Sequence, residues 1–236
     1  MKDMLFSLFV ILSLSATAIT SDQEAFYPAQ SGTILKYSYF NTSNQSKGYV
    51  YQTVNQIKTD DSISSISYTI LLCDKNRHPI QQPFNAISPI INNSINLYPF
   101  HFIKMQPNKD IQITGMGVNL PSSLWSDQLL DNGEVIITQG LIKTRIDIKS
   151  RLLIAKEQIK VAAGKYSCFK IREIHEVTTA GQFACYYVYN WYAAGIGLVK
   201  SITYDKQNKC ISRQELCSVR PPHAGTSVTQ PPQNNS

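Results

Sequence analysis

Two runs of alternating side chains set back to back across a short turn constrain this chain more than any other feature. Val161 to Ile171 forms the first run and Phe183 to Trp191 the second. Thr178-Thr179-Ala180-Gly181 lies between them. A period of two sends successive side chains to opposite faces of a strand. Two such runs around a small-residue turn predict an antiparallel pair. A turn centred on Thr179-Ala180 would set Val177 opposite Gln182 and Cys168 opposite Trp191, so that Cys168 and Cys185 do not face each other. Gly195-Ile196-Gly197 then predicts a tight corner into a further strand, Leu198 to Tyr204.

The same pattern recurs along the chain. Gly32 to Tyr39, Gly48 to Lys58 and Ser64 to Cys73 read as strands, the last with Ile66, Tyr68, Ile70 and Leu72 on one face. Val135 to Thr138 is another, and Arg151 to Val161 and Cys210 to Cys217 continue the series. The sharpest case is Leu141 to Arg151. Ile142, Thr144, Ile146 and Ile148 fall on one face; Lys143, Arg145, Asp147 and Lys149 fall on the other. That is the pattern of a half-buried strand. Prolines 79, 83 and 89 interrupt His78 to Tyr98, where short strands and an irregular loop are expected. A short helical turn is expected near Ser122 to Leu130. Many short strands without a long helical period predict an all-β domain. Its expected form is a single antiparallel, strongly curved sheet making an open barrel or spiral β-roll, with few short helical turns.

The N-terminus reads as an export signal. Lys2 supplies a positive start, Leu5 to Leu14 is apolar except for Ser7 and Ser13, and Ala16-Thr17-Ala18 offers a cleavage site. The apolar run is too short to span a bilayer comfortably, so no transmembrane segment is expected after removal of the signal. Residues 1–18 are therefore assigned to a signal peptide, 19–217 to one all-β domain and 218–236 to a disordered polar tail of Pro, Gln, Asn, Ser and Thr. Losing the signal removes Lys2 and Asp3 together, so the formal net charge of +6 stays. The basic residues are scattered through alternating strands rather than gathered in a dense run, which argues against nucleic-acid binding.

Export makes disulfides accessible to the five cysteines, Cys73, Cys168, Cys185, Cys210 and Cys217. An odd number leaves at least one outside an intramolecular bridge. Cys210 and Cys217 are the expected pair, being close in sequence, although their spacing demands a bend in the strand.

The chemistry-bearing residues form no familiar set. There is no G-x-S-x-G elbow, and Gly195-Ile196-Gly197 lacks the helix a dinucleotide loop needs. The four histidines show no zinc spacing, and His175, between Glu173 and Glu176, reads as a polar strand position. Cys168, among Tyr166, Phe169 and Ile171, reads as a buried structural cysteine. No catalytic residue, metal ligand or cofactor is therefore expected. The best binding candidates are Phe183, Tyr187, Tyr189 and Trp191, which share one face of a strand and could line a hydrophobic cavity, form a partner surface or simply fill the core.

Several segments, in order, resemble a family of exported bacterial β-proteins of the Bacteroidetes, often labelled TapB-like. Phe26-Tyr27-Pro28 before Gly32-Thr33 is similar to its opening, and Leu120-Pro121-Ser122 with Leu129 and Val135 to Thr138 to its central segment. Ala163 to Ile171 and Trp191 to Ser201 are similar to its two signatures, and Tyr204-Asp205 and Gln214-Glu215-Leu216 continue the agreement. The resemblance implies a curved antiparallel β architecture and carries no activity with it.

The expectation is a non-enzymatic exported protein of the cell envelope, in the periplasm, on the outer-membrane surface or outside the cell. It would bind an apolar or amphipathic envelope ligand, or a protein partner, on a concave β surface. The alternatives are a surface interaction or adhesion module with a filled core, and an enzyme acting on envelope glycans. N-terminal sequencing of the mature protein is expected to start at Ile19; a mature chain that keeps Leu5 to Leu14 refutes the cleavage.

Overall fold

Alternation carried through successive short segments makes a meander, and its ends meet. The computed structural model describes residues 25–58, 64–91, 94–98 and 111–222. The signal segment 1–18 and the tail from residue 223 onward lie outside the described residues. The strands are β1 (Ile34–Phe40), β2 (Ser46–Lys58), β3 (Ser64–Asp74), β4 (Phe84–Ile91), β5 (Ser94–Leu97), β6 (Ile111–Leu120), β7 (Leu129–Leu130), β8 (Gly133–Gln139), β9 (Ile142–Val161), β10 (Gly164–Thr179), β11 (Gln182–Ala193), β12 (Gly197–Tyr204) and β13 (Cys210–Arg220). All pairings are antiparallel. The order runs from β10 through β11, β12 and β13 to β1, then through β2 to β6, β8 and β9, and β9 pairs back onto β10. Twelve strands thus close into a barrel, and the two-residue β7 lies along β9, with Leu130 opposite Arg151. Closure removes the open edges that would invite pairing with another chain.

The β10–β11 hairpin turns on Ala180 and Gly181, both at positive φ (47° and 78°), and sets Thr179 opposite Gln182. Two positive φ angles give a turn whose twist matches the flanking strands. The register therefore sits two residues from the expected one, with Val177 opposite Ala184. A shift of two keeps every side chain on its face.

Inward residues fill the interior. Ile66, Ile70, Val54, Val135, Ile146, Ile148 and Ile171 are all fully buried. Ile142, expected on the same face, is 36% exposed because it begins β9 beside the β8–β9 turn, beyond the packed core. β6 was not anticipated. Its Gly115 and Gly117 break the apolar pattern, and both hold positive φ where the register shifts against β8. No helical turn forms between Ser122 and Leu130. That segment instead bonds to β9, Asp127 N donating to Leu153 O and Leu153 N to Gln128 O. The terminal strand also runs further than expected, with Ser218 to Arg220 paired to Ile34 to Lys36.

The Cys210–Cys217 bridge is corrected: both thiols are free, as are those of Cys73, Cys168 and Cys185. β13 runs extended between them, which separates their Cα atoms by roughly 23 Å at the usual rise, against at most about 7 Å in a disulfide.

Ile146→Asp places an unpaired charge in the core and is expected to cost about 4 kcal/mol or more. Lys143→Ser, on the outer face, is expected to change stability by less than about 0.5 kcal/mol. Thermal unfolding of the two variants checks the facing; equal shifts would contradict it.

Candidate functional site

The aromatic row lies outside the barrel. Val188, Asn190 and Tyr192 take the inward positions of β11, so Phe183, Tyr187, Tyr189 and Trp191 take the outward ones. The expectation of a cavity lining or a filled core is thereby corrected for exposed Phe183 and Tyr187, whereas Trp191 joins the buried hydrophobic cluster from the outer side and Tyr189 packs against it. They form a surface set with lysines. Lys170 Nζ sits 5.4 Å from the Tyr189 ring centre and 5.0 Å from that of Trp191, and Lys200 Nζ lies 5.7 Å from Trp191. Trp191 Nε1 donates to Glu157 Oε1 at 2.6 Å, and Tyr189 packs edge-on against Tyr204. Trp191 is thus covered, whereas Phe183 and Tyr187 stay 60% and 40% exposed. Three hairpin tips gather near Phe183. Thr144 Oγ1 and Thr179 Oγ1 are 2.9 Å apart, which sets the β8–β9 tip beside β10–β11, and Lys206 of the β12–β13 tip lies 5.8 Å from the Phe183 ring. Leu141 at the first tip is fully exposed.

Inside the barrel is a charged cluster that the sequence did not announce. β9 carries a bulge at which Ser150 and Arg151 together oppose Glu173 of β10, with Ser150 at φ 51°. The extra residue reverses the facing of the residues that follow it, up to a second shift at Ile154 that restores the original parity. Strict alternation after Lys149 would point Arg151 outward; the bulge turns it inward, where it is fully buried. Arg151 Nε donates to Glu173 Oε1 at 2.9 Å, and Nη1 donates to the carbonyls of Asn119 and Asp131 at 2.8 Å each. Glu173 Oε2 accepts from Asn190 Nδ2 at 2.9 Å and meets His175 Nε2 at 2.8 Å. A carboxylate only accepts, so Nε2 of His175 carries the hydrogen. His175, expected as a polar strand position, is fully buried. Its i, i+2 spacing from Glu173 was the available signal, since the two share one face of a strand.

Burial alone would raise the Glu173 pKa. The Arg151 charge and the His175 hydrogen bond outweigh it and hold the carboxyl at about 2, below its ordinary 4.5. Cys168 moves the other way: burial, with Glu157 nearby, pushes its thiol up to about 11. A thiol kept protonated is a poor nucleophile. The interior carboxylate is likewise occupied by three partners, an arrangement suited to holding strands together rather than to moving protons.

The cluster adjoins a cavity at the barrel end opposite the hairpin tips. Its walls include Phe26, Tyr37, Tyr68 and Tyr192, and Glu173 and Asn190 reach its lining. The segment before β1 caps this end, Gly195 N donating to Ala25 O at 2.7 Å. Gly197 lies close beneath that segment: a Cβ there would come within 3.0 Å of Phe26 O.

The outer face of β9, with exposed Lys143, Arg145 and Lys149, is not the apolar band that a membrane-spanning barrel turns to lipid. Fold and surface together define a closed antiparallel barrel with a charged exterior and a buried ion cluster. The chain belongs to the DUF3108-like family, which matches residues 30–216. Two solved structures share the fold. One is a candidate exported protein with a YmcC-like fold from Bacteroides fragilis, 17% identical, with TM-score 0.74 over 84% of this chain and 99% of that one. The other is a candidate lipoprotein from Parabacteroides distasonis, 20% identical, with TM-score 0.71 over 84% of this chain and 100% of that one. No curated protein matches the chain significantly.

Glu173 has a folded pKa below its unfolded one, so the stability it confers is present above about pH 4.5 and is lost as pH falls toward 2. The loss is expected to reach about 3 kcal/mol in urea titrations across that window. Glu173→Gln is expected to flatten that slope; an unchanged slope would show that other carboxyls carry it.

Proposed function

We propose that the protein is an exported, non-enzymatic protein of the cell envelope that docks on an anionic lipid surface through the end of the barrel carrying the three hairpin tips. The observation that carries this reading is the outward aromatic row ending in exposed Phe183 and Tyr187, with Lys206 beside Phe183 and exposed Leu141 on the β8–β9 turn at the same end of the barrel. Apolar tips enter the headgroup region, and lysines meet the negative lipid charge. The net charge of +6 favours the same partner. Export is supported by the apolar run before Ala16-Thr17-Ala18 and by the names of the two structural relatives. The order of the sequence motifs also supports the TapB-like label.

Co-sedimentation of the mature protein with phosphatidylglycerol vesicles tests the reading. Binding to these vesicles is expected to exceed binding to phosphatidylcholine vesicles. Phe183→Ser with Leu141→Ser is expected to weaken it about tenfold or more, the equivalent of about 1.4 kcal/mol. Retention of full binding by the double variant, or none by the wild type, would favour a protein partner instead.

A further inference from the structure

The cavity beside the ion cluster lies at the other end of the barrel and is bordered by a buried polar atom that has no partner among the described residues. Asn190 is 2% exposed and lines the cavity. Its Nδ2 donates to Glu173, which turns Oδ1 away from the carboxylate, and Oδ1 has no partner among the described residues. Exchanging the two amide atoms would set oxygen against carboxylate, so this orientation is fixed by charge. A buried acceptor without a donor is unfavourable, and native interiors seldom leave one.

We propose that this cavity binds a small neutral amphipathic molecule, a hydroxyl or primary amide on a short alkyl chain, whose donor hydrogen seats on Asn190 Oδ1. Charge selects the head group. Arg151 balances Glu173, whose oxygens are already engaged by Arg151, His175 and Asn190. Neither a cation nor an anion would find a counter-charge. The nearby phenol groups add none, because burial holds the pKa values of Tyr37 and Tyr192 well above their ordinary value. Shape selects the rest. The cavity encloses about 60 Å³, against roughly 10–15 Å³ for one water, so a few heavy atoms fit inside. The remainder of the ligand leaves through the mouth, past half-buried Tyr27, Tyr98 and Ile196.

The test uses four probes on the isotope-labelled mature protein: 1-hexanol, its isomer ethyl butyl ether, hexylammonium and hexanoate. Hexanol is expected to shift the Asn190 side-chain amide resonance and to bind about tenfold or more tightly than the ether, which lacks the donor. Both charged probes are expected to bind more weakly than hexanol. Ile196→Trp obstructs the mouth without touching the ion cluster, and it should abolish the shift while the protein still unfolds cooperatively. Asn190→Leu should bring hexanol and ether to equal affinity; if it does not fold, the probe series and the mouth variant decide. Equal binding of hexanol and ether to the wild type overturns the proposal, as does hexylammonium binding tightest. A set of probes that shifts nothing overturns it too, and leaves the cavity to water.

Discussion

Placing Arg151 inside the barrel is the constraint on which the rest of this structure turns. A guanidinium cannot be deprotonated, so once buried it must be paired. The pairing recruits Glu173 from β10 and backbone carbonyls at the end of β6 and beside β7. Asn190 on β11 and His175 then complete the carboxylate. One side chain therefore fixes the relative positions of four stretches of chain at the closure of the barrel. The pair adds little net stability over a well-packed apolar substitute, but losing one partner would strand a charge. Such a cluster enforces register: sliding β9 past β10 by one residue would turn Arg151 out and leave Glu173 uncompensated.

The bulge at Ser150 is also where legibility from sequence ends. Alternation revealed most strands and their facing, as with Ile66, Tyr68, Ile70 and Leu72, all buried as expected. It works because the period of two is a property of the extended backbone and needs no tertiary information. It fails wherever one residue is inserted. Lys143, Arg145 and Lys149 set a charged outer row to which Arg151 belongs by extrapolation, and only the bulge moves it to the other side. Nothing in Lys149-Ser150-Arg151 marks an αL serine. Parity alone likewise could not say which face of β11 was inner. Both rows of that strand are rich in large side chains, Val188, Asn190 and Tyr192 against Tyr187, Tyr189 and Trp191. The inner row is settled by what meets it, since Asn190 answers a carboxylate and Trp191 answers lysines. The glycines of β6 hid a strand for a related reason: they remove the side chains whose alternation would have shown it.

The meander sorts chemistry to two ends. In an antiparallel barrel with short connections, alternate hairpins must point the same way. The β8–β9, β10–β11 and β12–β13 turns therefore share an end, and it carries Leu141, Phe183 and Lys206. The β11–β12 corner lies at the other end with the segment before β1, the cavity and the face of the ion cluster that lines it. β11 has 12 residues, so at the usual rise the two ends are separated by roughly 35–40 Å along that strand. That distance is several times the Debye length at physiological salt, so charge at one end has little direct influence on the other. A barrel resting on a lipid surface by its hairpin tips would thus hold the cavity mouth away from that surface, open to whatever the surrounding solution carries. The rigid coupling of β9, β10 and β11 through Glu173 would keep that geometry whether or not the tips are engaged. Docking and ligand uptake are then separable by mutation, because no side chain assigned to one contributes to the other.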